Sequence, residues 1–329
     1  MSKREMGEFD LIKRYFAPLS VDAPGAFGLT DDAALLPPLG HGEAWVVTTD
    51  TMAERSHWLA GSAGSDVAAK LLRVNLSDLA SMGAKPRFYT LALALNHDTP
   101  EDWVRDFAEA LGREQETFSV SLIGGDTTAT SGRVSATLTA FGSIGRGAEL
   151  RRSGASVGDG VYVTGTIGDA ALGLMALRGA LLDISPDTES YLVGRHRLPE
   201  PRMTVGLGLA GVASACVDVS DGLVQDMGHI AAASNVSIEI EMNAIPLSDA
   251  ARAVLEKDPA NMETVLSGGD DYELAFTVPA GFDAALSALS KKTAISIGCI
   301  GRVKEGSGVS VRSPEGLDVT PKKGGFQHF

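Results

Sequence analysis

The chain has 329 residues, 44% of them hydrophobic and 21% charged, enough for about two domains with cores of their own and too apolar for a disordered segment. Its 42 acidic residues against 28 basic ones leave a net charge of −14, which argues against nucleic acid and against an anionic membrane surface as partners. No run reaches the roughly 18 apolar residues of a membrane helix, residues 1–10 lack the apolar centre of a secretion signal, and Cys216 and Cys299 stand far apart, so a cytoplasmic protein is expected.

In chain order, AWVVTTD (44–50) alternates as a strand and SDVAAKLLRVNLSDLASM (65–82) has the period of an amphipathic helix. RFYTLALAL (87–95) is strand-like, PEDWVRDFAEALGREQ (100–115) is helical behind Pro100, VSLIGGD (120–126) is a strand running into a turn, and VSATLTAFGSI (134–144) is another strand. The stretch 146–160, rich in Gly and charge, marks a boundary between an N-terminal domain (1–148) and a C-terminal domain (149–329). Beyond it VYVTG (161–165) is a strand, AALGLMALRGALL is helical, and ACVDVS (215–220) leads into a helix stopped by Asn235. YELAFTV (272–278) and AISIGCIGRV (294–303) are strands around a helix near 281–291. Mixed elements in both halves predict two α/β (α+β) domains.

The motifs narrow the chemistry. There is no GxxxxGK[ST] loop, no HExxH and no GxSxG, and the single GxGxxG match, GLGLAG (206–211), follows a helical pattern rather than a strand. What recurs is a strand closed by a small-residue turn bearing Asp: Thr48-Thr49-Asp50, Gly124-Gly125-Asp126, Gly165 to Asp169, and Asp218 to Gly222. Glycines let backbone N–H groups approach phosphate oxygens, and carboxylates and hydroxyls are hard oxygen ligands suited to Mg²⁺. Any one such turn is explained by ordinary capping; four together point to a metal-bridged polyphosphate. Asp78 falls at the edge of the apolar stripe of helix 65–82, where a half-buried carboxylate needs either a salt-bridge partner or a cation.

TDDAALL (30–36), TTDTM (48–52), NLSDLASMGA (75–84), LIGGDTT (122–128), RSGASVGDGVYVTGTIGDAALGL (152–174), DVSDGLVQDMGHI (218–230), LSGGDDYELAF (266–276) and GFQHF (325–329) resemble the thiamine-monophosphate kinase family, in that family's order and over nearly the whole chain. The resemblance implies a two-domain aminoimidazole ribotide synthetase-like fold, a homodimer paired through N-terminal-domain strands, and ATP-dependent phosphorylation of thiamine phosphate to thiamine diphosphate with several Mg²⁺ ions. It assigns metal ligation to Asp32, Thr48, Thr49, Asp50, Asp78, Asp126, Asp218 and Asp221. It assigns ATP contacts to Phe118, Gly125, Asp126, Arg152 and Ser220, and substrate contacts to His57, Asp270 and Phe326. Against the family pattern, Asp270 replaces a Glu, Trp58 a Phe and Phe118 a Tyr.

Phosphoryl transfer needs alignment and charge neutralisation more than covalent chemistry, and the chain offers no obvious covalent nucleophile, so direct in-line transfer is expected. The alternatives are another ATP-using enzyme of the same superfamily or a non-catalytic metal-binding scaffold. Selenophosphate synthetases carry a reactive residue in an N-terminal Gly-rich segment, and no Cys precedes Cys216 here.

Overall fold

The computed structural model describes residues 7–31, 33–181 and 183–326, and the chain divides into two compact units, 1–79 with 84–146 and 80–83 with 147–329. In the first unit the alternating runs pair into a four-stranded sheet: β1 (Glu43–Ala53), β2 (Lys85–Asn96), β3 (Ser121–Thr130) and β4 (Ser135–Gly145), in the order β1-β4-β2-β3. β2 and β3 run parallel, the other pairs antiparallel, and β1 and β3 form the two edges.

The α-helices α1 (Glu8–Leu11), α2 (Gly64–Ser81) and α3 (Glu101–Phe118) accompany this sheet. The apolar stripes of α2 and α3 cover one face. Leu79 of α2 lies against Gly142 of β4, Tyr89 of β2 donates its hydroxyl to Gln115 of α3 at 2.8 Å, and Arg73 of α2 forks onto Glu114 of α3. A β-carbon on Gly64 would stand 2.2 Å from the Trp103 carbonyl oxygen, so the start of α2 meets α3 only as glycine. On the opposite face Phe88, Ile123 and Phe141 pack with Ala23 and Ala26 of the N-terminal turns.

Two strands outrun their expected ends. β1 continues past Asp50 to Ala53, and β3 passes through Gly124-Gly125-Asp126 to Thr130. Glycine ends a strand only where the ladder has no partner; here Leu91 to Asn96 of β2 pair with Gly125 to Thr130. Ile123 is passed over in that pairing, Tyr89 matching Leu122 and Thr90 matching Gly124, which makes a β-bulge just ahead of the glycines.

The second unit is built on a six-stranded sheet of β5 (Gly160–Thr164), β6 (Ala215–Asp218), β7 (Ser237–Glu241), β8 (Leu274–Val278), β9 (Ile297–Lys304) and β10 (Gly308–Arg312), ordered β10-β7-β9-β5-β8-β6. Only β10 and β7 run parallel. Its helices are α4 (Asp169–Leu177), α5 (Pro186–Arg197), α6 (Met203–Leu209), α7 (Leu223–Ser234), α8 (Asp249–Lys257), α9 (Met262–Ser267) and α10 (Asp283–Thr293). Ser185 and Ser248 cap α5 and α8, accepting from the amides of Thr188 and Ala251. Asn235 adopts the left-handed conformation that ends α7, as its position in the sequence predicts. The core joins strand residues such as Val163, Val217 and Ile300 to Leu172, Met227 and Val265 of the helices.

The GLGLAG stretch lies on α6 and its end. A β-carbon on Gly206 would meet the Ala80 carbonyl oxygen at 2.1 Å and one on Gly208 would meet Leu289, so these glycines serve packing. The mixed α/β class with two domains matches the sequence reading. No helix among the described residues is long and apolar enough to cross a membrane.

Candidate active site

The first unit presents its acidic groups from the middle of β1. Strand alternation turns Thr48 and Asp50 toward α2 and Thr49 away from it. Thr48 donates its hydroxyl to the Asp78 carboxylate, and the Asp50 amide donates to Asn75 Oδ1 at 3.1 Å. Asn75 is fully buried and is fixed in turn by donating to the Leu71 carbonyl at 2.9 Å. Burial, reinforced by the negative charge of Asp78, pushes the Asp50 carboxyl up to about 6 from 3.8. Asp78 is half-buried, as its place on the helix stripe predicts. Thr49 instead donates to the Leu138 carbonyl and accepts from Thr139, so its hydroxyl does not join Asp50 and Asp78.

Gly125 and Asp126 lie on the other edge strand. A β-carbon on Gly125 would stand 1.8 Å from the Leu91 carbonyl oxygen, so no side chain fits there. Asp126 is exposed and belongs to the row Thr51, Thr137, Ala92, on the face opposite Asp50. Three strand spacings separate β1 from β3, about 14 Å. Within one chain, therefore, the structure does not bring Asp126 to Asp50 and Asp78.

Beside Asp126 opens a cavity of about 560 Å³ whose walls are Phe9, Ile12, Phe16, Leu29, Leu122 and Ile123 and whose polar groups include Asp31 and Thr127. Asp32 lies outside the described residues. Phe118 does not line this cavity: it ends α3 beneath the Arg73 guanidinium, 5.4 Å from the ring centre, at the far end of β3. His57 sits in the turn after β1, where its Nδ1 accepts the Ala53 amide at 3.0 Å. That bond fixes the neutral imidazole with its proton on Nε2.

In the second unit, β6 ends in buried Asp218 and the chain turns through Ser220, Asp221 and Gly222 into α7. All three amides of that turn donate to one oxygen of Asp226, at 3.0, 3.0 and 3.1 Å. Burial nevertheless raises Asp226 to about 7. Ligand atoms of Asp221, Asp226 and His229 lie within 4.8 Å of one another, a grouping able to hold a cation. His229 is held below its usual range by burial and, to a lesser degree, by the positive charge of Arg152. Its neighbour Arg151 instead pairs with Glu149 on the surface.

Segment 268–273 lies along this turn. The Asp270 amide donates to the Ser220 carbonyl and the Tyr272 amide to the Val219 carbonyl, both at 2.8 Å. The C-terminal segment docks on the other side: the Phe326 amide donates to the Asp221 carbonyl at 3.0 Å, and Gln225 donates to both Asp221 Oδ2 and the Phe326 carbonyl. The Phe326 backbone is thus anchored while the residue stays 50% exposed.

The strand-end turn from Gly165 to Asp169 differs from the other three. Asp169 is fully buried and accepts from Thr166, Ser248 and Tyr191, so its carboxylate is committed to the fold. Asp271 accepts the amides of Gly168 and Ala170 at the start of α4, and burial lifts it to about 8. Glu273 takes Arg195, Arg202 and the Thr164 hydroxyl.

Residues 30–144 match the model for the N-terminal domain of AIR synthase related proteins and residues 156–313 match the model for their C-terminal domain. The thiamine-monophosphate kinase of Haemophilus influenzae is 38% identical over 329 residues, covering 98% of each chain. The chain belongs to the thiamine-monophosphate kinase family. The crystal structure of the thiamine-monophosphate kinase from Stenotrophomonas maltophilia is 40% identical and superposes with a TM-score of 0.83 over 94% of this chain and 97% of that one. The structure of AaThiL complexed with AMPPCP and TMP is 32% identical, with a TM-score of 0.76 over 100% and 99%.

For this family member, sequence reasoning misses Asn75, Asp226 and His229. Asn75 lies three residues before Asp78 on α2, and that helical spacing was the signal available; Asp226 lies five after Asp221, which precedes α7, so no helical spacing marked it.

Proposed function

We propose that this chain transfers the terminal phosphoryl group of ATP to thiamine phosphate, giving thiamine diphosphate, and that Mg²⁺ ions held by its carboxylates serve the transfer. The observation that carries the reading is the Asp50–Asp78 pair, two half-buried carboxyls close enough that one raises the other toward neutrality. Such a pair, with the Thr48 hydroxyl beside it, is an all-oxygen donor set of the kind hard divalent ions take, and it fits Mg²⁺. Asp126, Asp218 and Asp221 complete the proposed ligands. When bound, Mg²⁺ neutralises phosphate charge and orients the oxygens for displacement. The AaThiL complex with AMPPCP and TMP supports the choice of nucleotide and substrate.

The chain's own groups divide the remaining work. Gly125, pressed on the Leu91 carbonyl, lies on the open edge of β3 beside Asp126, and the Ser220–Gly222 turn is held in one shape by Asp226 for the nucleotide phosphates. Arg152 adds positive charge for the nucleotide. His57 offers its Nε2 proton to the substrate phosphate. Asp270 supplies negative charge for the thiazolium, and the exposed Phe326 ring offers it a flat face. The phosphate oxygen of the substrate is itself the nucleophile, being largely ionised near neutral pH. Transfer is then in-line and inverts configuration at phosphorus.

The same reading includes a cytoplasmic homodimer. The open β1 and β3 edges support it, since a second copy can lay its β1 edge beside β3; Asp50 of one copy and Asp126 of the other would then share a nucleotide where the pairing turns their opposite faces together. ATP consumption by the purified protein is the deciding measurement: it should require thiamine phosphate and stop without it. Consumption independent of thiamine phosphate would indicate another ATPase of this fold, and none at all a scaffold. Mixing inactive Asp50→Asn and Asp126→Asn chains should restore part of the activity; no restoration would remove the shared site and leave the kinase reading standing.

A further inference from the structure

Asp270 and Tyr272 both adopt left-handed backbone, φ +75° and +51°, a region bulky residues seldom occupy and that persists only where the surroundings enforce it. The Ser220 and Val219 carbonyls hold the backbone of both residues, and α5 holds side chains of the same segment. Arg195 and His196, consecutive residues in the last turn of that helix, each face one acidic residue of this segment: Arg195 donates to Glu273 at 2.9 Å, and His196 Nδ1 lies 3.4 Å from Asp270 Oδ2. The other Asp270 oxygen receives the Tyr272 hydroxyl at 3.3 Å. The Asp270 carboxylate is therefore flanked on both sides.

His196 itself cannot shift. It is 6% exposed, and α5 is pressed on α4 at Gly173, where a β-carbon would stand 2.1 Å from the Leu192 carbonyl oxygen and 3.1 Å from the His196 β-carbon. The chemistry of an imidazole suits the place. Its rigid ring meets the carboxylate at one nitrogen, 3.4 Å away, and limits where the carboxylate can turn, whereas the guanidiniums at Glu273 grip both oxygens.

We propose that His196 is a positioning residue for the organic cation of the substrate: it aims the Asp270 carboxylate at the place where that carboxylate meets a cationic ring. The proposal rests on the reading of Asp270 as a substrate contact. It also gives the shorter side chain at 270 a rationale, since an aspartate has less freedom to search and is aimed by its neighbours.

The experiment measures KM for thiamine phosphate and for ATP, and kcat, in the full-length enzyme with His196→Leu, His196→Asn, Asp270→Ala and the double variant His196→Leu/Asp270→Ala. His196→Leu should raise KM for thiamine phosphate roughly tenfold, the order for loosening one contact to a charged group, with kcat and KM for ATP held within about twofold. His196→Asn, which keeps a nitrogen at that reach, should restore most of the loss. The double variant should be no worse than Asp270→Ala, because His196 acts through Asp270. If His196→Leu does not fold, Tyr272→Phe reads the same geometry from the other oxygen and should raise the same KM a few-fold. An unchanged KM in Asp270→Ala would overturn the substrate reading and this inference with it. A raised KM there, with His196→Leu and Tyr272→Phe unchanged, or with losses adding in the double variant, would overturn the role of His196 alone.

Discussion

Three buried carboxylates of the second unit and Asp50 of the first are handled in opposite ways. In the second unit Glu273 is answered by two arginines and a threonine, Asp226 by three amides and Asp271 by two, as Glu114 of the first unit is by Arg73. Burial still raises Asp226 and Asp271, but the backbone N–H groups oppose it. In the first unit the two effects on Asp50 add, since burial and the charge of Asp78 both push it up. Carboxylates of the first kind hold loops in shape. Those of the second kind carry a repulsion that a cation would relieve, and the presence or absence of opposing donors, rather than the size of the shift, separates the framework of Glu273 and Asp271 from the Asp50–Asp78 pair.

The sharpest way to break that contrast is to neutralise one member of each kind. Asp50→Asn and Asp78→Asn should each lower kcat by about a thousandfold or more while the metal-free protein melts no lower than wild type, because a repulsion has been removed. Mg²⁺ with ATP should raise the melting temperature of the wild type and do so far less in these variants. Normal activity in both would end the role of the pair.

Glu273→Gln should do the reverse, costing about 3–5 kcal/mol by leaving Arg195 and Arg202 buried beside a neutral amide, measured by denaturant unfolding. A variant of wild-type stability would move Glu273 out of the framework class.

The pH dependence follows from the direction of the Asp50 shift. Its folded-state value is raised from 3.8 to about 6, so its contribution to stability is complete below about 4 and is lost as pH rises through 6. Asp226 and Asp271 share that sign, and the difference between wild type and Asp50→Asn isolates the Asp50 share. Without metal, wild type should lose on the order of 2 kcal/mol relative to the variant between pH 4 and 7, and Mg²⁺ should flatten the difference. A flat difference without metal would show that the repulsion is absent.

The smallest effects separate neighbours. Arg151→Ala breaks only a surface pair with Glu149 and should change stability by less than about 0.5 kcal/mol and activity not at all. Arg152→Ala, which removes the charge acting on His229, should raise KM for ATP several-fold. Equal effects at both positions would remove the distinction.

Much of this was legible in the chain itself. Periodicity located β1, α2, β2, α3, β4 and α7, because each buries one face against a single neighbouring layer. α5, α8, α9, β7 and β10 went unread; α5 is polar nearly all round and takes its place from Arg195, His196 and Leu192. The half-burial of Asp78 followed from helix geometry. The turn expected at Gly124-Gly125-Asp126 did not, because glycines signal a break unless a partner strand is known, and that partner, Leu91 to Asn96, lies some 30 residues earlier. The four Asp-bearing turns looked alike in sequence, yet Asp169 differs because Ser248 and Tyr191, distant in the chain, consume its oxygens.

The bulge at Ile123 has a consequence for comparing relatives and for deletion scanning. One extra residue in β3 turns over everything that follows it, so Asp126 faces the exposed side only because Ile123 is skipped in the ladder. Deleting Ile123 would remove the bulge and leave Gly124 opposite Thr90 and Asp126 opposite Ala92, so the facing of Asp126 survives the loss. Drawing Ile123 into the ladder without removing a residue would instead set Asp126 opposite Leu93 and aim it toward the helices, with composition unchanged. A relative with a one-residue gap here keeps the facing of Asp126, whereas one with a one-residue insertion keeps it only by widening the bulge.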